Sequence, residues 1–332
     1  MAITTMVILM KTKNSLNATK REQMKVFIGI PTFNGGKVWQ KAAENIRKYS
    51  PPNTYVQVID SGSTDDTVQI ALKNGFNVVT INAKDFNHGK TRNDIVNLNK
   101  NNFDIVIFLT QDAIPEPDFI NNIISVFEEP LVACAYGRQL PHLDANAIST
   151  HARYFNYPNK SYVSSKADIS VMGLKTVFSS NSFAAYKIDI FEKMGGFPGN
   201  TILSEDMFFA AKSIMSGFKV AYVPSSKVRH SHNYSAIEEF KRYFDIGVFH
   251  ATEKWIRKTF GGAGGEGKKF LYSEFKYLLK NQPSMIPQSM MNNMFKIIGY
   301  KLGQNYSKLP LSLVKKCSMH KRFWKEKNNS NN

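Results

Sequence analysis

A chain of 332 residues with 42% apolar content can bury a substantial core as one large domain or two, and only a globular class fits it. No uninterrupted apolar run approaches the roughly 18 to 20 residues that span a bilayer, and the N-terminal MVILM is too short for a signal-peptide core, so we expect a cytoplasmic protein. The net charge of +17 is uneven, with an excess of +4 over residues 1–25, +1 over 26–250 and +12 over 251–332; this points to a basic surface for nucleic acid or an anionic membrane, against the plainer alternative of a solvated basic face.

Residues 1–24 lack periodicity and read as a flexible lead-in. Residues 25–250 form the expected folded body, with halves at about 25–115 and 116–250, and 251–332 a basic, mainly helical C-terminal region. Val26–Ile30 reads as a strand closed by Pro31, followed by the loop Thr32-Phe33-Asn34-Gly35-Gly36 and a helix over Val38–Lys48. Tyr55–Ile59 is the next strand and Asp60-Ser61-Gly62-Ser63 its loop. Thr64 is the expected cap of a helix with Asp65 and Asp66 in its first turn and Gly75 at its end. A strand over Asn77–Ile81, the loop Asp85–Gly89 and a helix over Thr91–Leu98 follow. The apolar run Ile105–Leu109 then passes into Thr110, Gln111 and Asp112, and Pro115 and Pro117 stop further pairing.

Strands alternating with helices at this spacing predict an α/β fold with a parallel sheet and right-handed crossovers. Ligands bind such sheets beyond the carboxyl ends of the strands, so Asn34, Asp60 and Asp112 should share one rim. A turn residue bonding its own backbone is the plainer reading of each, and for Asn34 the two readings stand level.

Further along, Asp118–Glu128 reads as a helix and Leu131–Tyr136 as a strand. Residues 137–176, with Tyr154, Phe155, Tyr157 and Tyr162, read as irregular and acceptor-side. Val177–Tyr186 returns to the sheet, and Met194–Pro198 is a tight turn. Ser204 is the expected cap of a helix opening with Glu205 and Asp206 and ending at Gly217, and Lys219–Val223 is another strand.

The sequence has no Walker-type or GxGxxG phosphate loop, which argues against an ATPase, a kinase or a nicotinamide enzyme. An ionised Asp112 at the mouth of an apolar strand needs a cation opposite it. A Mg²⁺ or Mn²⁺ ion, helped by Lys90 and Arg92, could then hold an anionic ligand. His230 and His232 stand two apart in an extended segment, so they fall on one side; one could complete a metal site while the other bonds a phosphate. In the first turn of its helix Asp206 favours the dipole, and the dipole should keep it ionised, as a general base requires. Cys134 and Cys317 have no metal-ligand spacing and should be free thiols.

PTFNGG, IDSGSTDDT, FNHGKTRN, TQDAIP, SEDMFFAAK and VRHSHNYS, in this order over about residues 25–250, resemble the inverting GT-A glycosyltransferases of family 2. The resemblance is nearest to the bacterial rhamnosyltransferases of O-antigen and related surface polysaccharides, and extends to the GEG, LPLSL and SMHKRFW segments of the tail. It implies a Rossmann-like, mostly parallel sheet and transfer of L-rhamnose from dTDP-β-L-rhamnose to a glycan, typically one carried on a polyprenyl diphosphate. Pro31, Thr32, Phe33, Asn34, Ser61, Gly62, His88, Lys90 and Gln111 would line the nucleotide, with Asp60 on the base and Arg92 near the ribose or phosphates. Asp112 matches the last aspartate of the DxD motif, whose first aspartate is here Thr110. Asp206, supported by Glu205, matches the catalytic base; His230, rather than His232, matches a third metal ligand; Asn181 and Ser182 would face the acceptor.

Transfer of galactofuranose, glucose or N-acetylglucosamine is the alternative within the family. A nucleic-acid-binding module is the alternative outside it, and three converging carboxylates argue against that module because they repel phosphate. The basic tail suits peripheral contact with the inner face of the cell membrane. Phe270, Phe275, Leu278 and Leu279, then Met291, Met294, Phe295, Ile298 and Leu302, recur near helical spacing. They could lie in that interface, pack on the body or pair two copies as a homodimer.

Overall fold

The computed structural model describes residues 24–262 and 265–324, so the expected lead-in lies, but for Met24, outside the described residues. The first half is built as the alternation requires: β1 (Val26–Thr32), α1 (Gly36–Tyr49), β2 (Tyr55–Asp60), α2 (Thr67–Lys73), β3 (Asn77–Thr80), α3 (His88–Asn99) and β4 (Ile105–Leu109). β4 is buried along its whole length, which is why its sequence is an unbroken apolar run. Four boundaries differ from expectation. β1 runs through Pro31, which a parallel strand tolerates where its missing N–H is not needed. α2 starts at Thr67 rather than after Thr64, because the Asp65 carboxylate bonds the Thr67 N–H and hydroxyl and the Gly36 N–H. α3 starts at His88, since the Asn87 side chain accepts from the N–H groups of Gly89 and Lys90. The α4 region is a short helix, Phe119–Ile124, running into a 3-10 turn over Ser125–Glu128.

The second half continues from β5 (Ile114–Pro115) and α4 to β6 (Val132–Leu140), α5 (Ala147–Asn156), β7 (Tyr162–Ser164), α6 (Ile169–Met172), β8 (Phe183–Lys187), α7 (Ile188–Lys193), α8 (Glu205–Met215) and β9 (Lys219–Arg229). Residues 137–176 are thus more regular than expected. Asn146 caps α5 through the Ser149 N–H, and its buried Ile148 and His151 face inward. β9 is twice its expected length. Its pairing with β6 skips from Val223 to Lys227, so the bulge carries the strand past Pro224.

The sheet order is β3-β2-β1-β4-β8-β6-β9-β5, with β7 also on β9. β3, β2, β1 and β4 are parallel, as predicted, but β8 lies antiparallel between β4 and β6, so the sheet is mixed rather than uniformly parallel.

After β9 come α9 (Ala236–Thr252), α10 (Lys254–Phe260), α11 (Glu266–Asn281), α12 (Ile286–Gln304) and α13 (Leu311–Cys317). Composition changes at residue 250, but packing does not break there. Phe244, Phe249, Phe260, Val314 and Trp324 join the same buried cluster as Phe27, Phe108 and Tyr186. α9 and α12 approach backbone to backbone: a Cβ on Gly303 would stand 2.0 Å from the Phe244 carbonyl oxygen, and one on Gly299 2.3 Å from that of Phe240. The tail's apolar residues divide. Leu278 is buried and Phe270 packs on His151 and Phe155, whereas Phe275, Leu279, Met291, Met294 and Ile298 are exposed. Cys134 and Cys317 are buried free thiols. Among the described residues no helix is long and apolar enough to cross a membrane.

Candidate active site

Two reversals of strand direction build the rim. β8 runs against β4 and β6 runs against β8, so β6, and β9 parallel to it, again end at the side where β4 ends. The residues after β9 therefore meet those after β4. His230 Nε2 and His232 Nε2 stand 3.4 and 3.5 Å from Asp112 Oδ2. One ligand atom from each of the three residues lies within 4.8 Å of the other two.

The chemistry of this trio is fixed from behind. Gln139 Oε1, at the end of β6, accepts from Arg153 at 2.6 Å and faces His230 Nδ1 at 2.9 Å. Arginine can only donate, so that atom is the amide oxygen, and His230 Nδ1 must donate to it. His230 Nε2 is then the nitrogen that faces Asp112. His232, stacked on Tyr234, is pushed down to about 4 by burial and by His230, so it is a neutral imidazole at neutral pH. Burial acts to raise Asp112, but His230 and His232 outweigh it and hold the carboxyl well below the usual carboxylate range. A carboxylate with two imidazoles, one backed by an amide, is a donor set that fits a divalent cation. Distance does not separate the two histidines, so both, and not His230 alone, belong to the group.

Across the rim, Glu205 and Asp206 open α8. Ser204 does not cap it: its backbone is left-handed, with φ 61°, and its side chain makes no cap bond. Asn181, just before β8, holds the acid pair instead. Its backbone N–H donates to Asp206 Oδ2 at 2.9 Å, its side-chain N–H to Glu205 Oε1 at 2.9 Å, and its carbonyl oxygen accepts from Tyr186. These bonds let Asn181 brace the two carboxylates, and it also lines the cleft beside Asp206. Ser182, which lines the same cleft, accepts the Thr110 N–H on its backbone carbonyl.

Glu205 is buried, and the Arg92 guanidinium 3.2 Å away offsets the cost of burial and keeps it below its ordinary range. Asp206 has no such partner. Burial and the neighbouring Glu205 push it up to about 7, against the N–H groups of Asn181 and Met207. The expectation that the helix dipole alone keeps Asp206 ionised is thus corrected. Desolvation and a like charge outweigh the dipole, and the carboxyl is poised at neutrality.

The residues expected around a nucleotide separate into two sets. Pro31, Thr32, Phe33, Ser61, His88, Arg92 and Gln111 line a cavity of about 520 Å³. Ser61 Oγ and Arg92 Nε are buried there without a hydrogen-bond partner, as in a cavity built for a polar ligand. Gln111 also braces the loop: its amide exchanges two hydrogen bonds with the backbone of Phe33, at 2.7 and 3.0 Å. Asn34, Asp60, Gly62 and Lys90 lie outside the lining. Asp60 is fully buried and accepts from Thr32, the Gly62 and Ser63 N–H groups and the Ser63 hydroxyl, so no lone pair is left for a base edge. Asn34, at φ 46°, takes its turn reading and accepts from the Thr64 N–H. Lys90 is on the exposed face of α3.

Sequence reasoning missed Gln139 and the far wall of this cavity, Met319 to Phe323. The glutamine ends an apolar strand without any motif, although HKR in SMHKRFW was visible as a knot of cations. A second cleft of about 430 Å³ contains Asp206, and the two cavities meet at His88, Arg92, Thr110 and Asp112.

The sequence model of Glycosyl transferase family 2 matches residues 27–195. The O-antigen chain rhamnosyltransferase RfbN of Salmonella typhimurium is 52% identical over 304 residues, covering 91% of this chain and 96% of that protein. The O-antigen chain rhamnosyltransferase WbaN of Salmonella anatum is 48% identical over 297 residues, 89% of this chain and 94% of its own. Among solved structures, the mannosyltransferase PcManGT from Pyrobaculum calidifontis, in complex with GDP-Man and Mn²⁺, superposes with a TM-score of 0.55 at 19% identity over 98% of this chain and 94% of its own. TarS 1-349 of S. aureus superposes at 0.50 with 17% identity over 93% and 92%. These likenesses to solved structures establish a shared fold.

Proposed function

The chain belongs to glycosyl transferase family 2, and we propose that it transfers L-rhamnose from dTDP-β-L-rhamnose, with inversion, to a lipid-linked glycan acceptor of O-antigen synthesis. One observation carries the reading: a donor-sized cavity and a second cleft meet at Asp112, with Asp206 standing in the second. The rhamnosyl assignment is supported by the two relatives about half identical over nearly their whole length.

The nucleoside diphosphate lies along Pro31–Phe33 and Ser61, with its phosphates toward His88 and Asp112. Asp112, His230 and His232 would hold a divalent ion, and the imidazole nitrogens favour Mn²⁺ over Mg²⁺; such an ion neutralises charge on the diphosphate. In the second cleft Asp206 accepts the proton of an acceptor hydroxyl. The hydroxyl oxygen attacks the anomeric carbon from the face opposite the diphosphate, and the electron pair of the breaking C–O bond departs with the phosphate oxygen. Glu205, tied to Arg92, keeps negative charge beside Asp206 and so maintains its basicity.

The exposed apolar residues Leu271, Phe275, Met290, Met294 and Ile297, beside Lys268, Lys269, Lys276 and Lys280, suit an anionic membrane surface where such an acceptor resides. To test the transfer itself, the protein is supplied with dTDP-rhamnose and other nucleotide sugars, a polyprenyl-diphosphate glycan, and Mn²⁺ or Mg²⁺. Turnover is expected with dTDP-rhamnose and with the metal present. Turnover of another sugar alone would overturn the rhamnosyl assignment, and activity that survives thorough chelation would overturn the metal.

A further inference from the structure

We propose that Met319–Phe323 is a clasp that completes the donor cavity, with Lys321 and Arg322 as binding residues for the nucleoside diphosphate; this rests on the reading of that cavity given above. The segment lies more than 120 residues beyond the end of the family match, yet it shares a cavity with Pro31–Phe33.

Its placement is built from several sides. Asp245 on α9, with no exposed surface, accepts the N–H groups of Met319 and His320 on Oδ2 at 2.8 and 3.1 Å. Cys317 and Ser318 on one flank and Trp324 on the other are buried, so the segment is pinned at both ends. Toward the cavity, Arg322 donates to the Ala83 carbonyl oxygen at 3.0 Å and its guanidinium sits 5.2 Å from the Phe33 ring centroid. His320 Nδ1 stands 3.4 Å from His88 Nε2.

Charge supplies the reason for the clasp. A diphosphate carries more negative charge than one divalent ion offsets, so without a glycine-rich loop side-chain cations must supply the rest. Of the three that line the cavity, Arg92 has Nη1 tied to Glu205 and its buried Nε unpartnered, so most of the charge for a ligand comes from Lys321 and Arg322. Arg322 spends one of its five N–H groups on Ala83 and remains exposed, so the rest are available to phosphate oxygens.

The test is calorimetric titration of the full chain with dTDP and Mn²⁺, with steady-state kinetics alongside. Both cations are exposed, so Lys321→Ala with Arg322→Ala should fold as the parent does. The double variant is expected to bind dTDP about ten-fold more weakly or worse and to raise the donor KM in proportion. Its kcat and acceptor KM should stay within about three-fold, and Arg322→Lys should recover part of the loss. If the double variant binds dTDP as the parent does while Phe33→Ala weakens binding, the clasp is wrong and the cavity reading stands. If the parent binds no nucleoside diphosphate, both fall.

Discussion

At the scale of single residues, Asp206 carries the sharpest consequence. Burial and Glu205 raise its carboxyl to about 7, so it holds its proton up to neutrality. Activity should therefore fall about ten-fold per unit as pH drops below 7, and hold above it. The sign for stability is opposite. Between about pH 4 and 7 the folded chain keeps a proton that the unfolded chain has lost, so this group's contribution declines as pH rises through that window. Asp206→Asn should thus lower kcat by about 100- to 10,000-fold, leave dTDP binding within a few-fold, and melt at or above the parent temperature at pH 8. Residual turnover near the parent rate would remove Asp206 from the role of base. The same scale explains why Thr110 in the place of an aspartate is tolerable. The donor atom missing there has a counterpart in a second imidazole, because the residues after β9 bring both His230 and His232 within 3.5 Å of Asp112.

Among the elements, the contact between α9 and α12 is the most exacting, because Gly299 and Gly303 let two backbones meet where a side chain has no room. Gly303→Val should cost about 1 to 3 kcal/mol by overpacking, or roughly 2 to 10 °C in Tm. Gly267→Val is the control, since a Cβ there meets nothing within 4 Å. Equal melting temperatures for the two would mean that the helices are not held as described. This scale also bounds what the sequence discloses. β1, β2 and β4 were legible because strands covered on both faces are written as apolar runs. The direction of β8 was not, since FAAYK reads the same in either orientation. The length of β9 was hidden by Pro224, which a bulge absorbs, and α5 by polar residues on its solvent face. Asp60 and Asn34 were legible as rim residues, but whether a rim carboxylate faces a ligand or its own loop depends on neighbours such as Ser63 that no spacing encodes.

For the whole molecule, the chain after residue 250 combines a basic excess with exposed apolar residues on α11 and α12. Co-sedimentation with vesicles rich in anionic lipid should be strong at low salt and weaken as salt rises, since each Lys or Arg near the surface adds about 1 kcal/mol. Phe275→Glu with Met294→Glu should abolish it without changing dTDP binding. Unchanged sedimentation would assign the face elsewhere, and self-association lost in the same variant would make it a contact between two copies. The body and tail share one core, and the cavity proposed for the donor draws its walls from residue 31 at one end and residue 323 at the other. Synthesis consequently sets an order on competence: a ribosome that has finished every motif from Pro31 to His232 has made a chain whose donor cavity still lacks a side. Until some ninety further residues have emerged and α13 has docked, the nascent chain carries the family's motifs around a cavity that is open on one side.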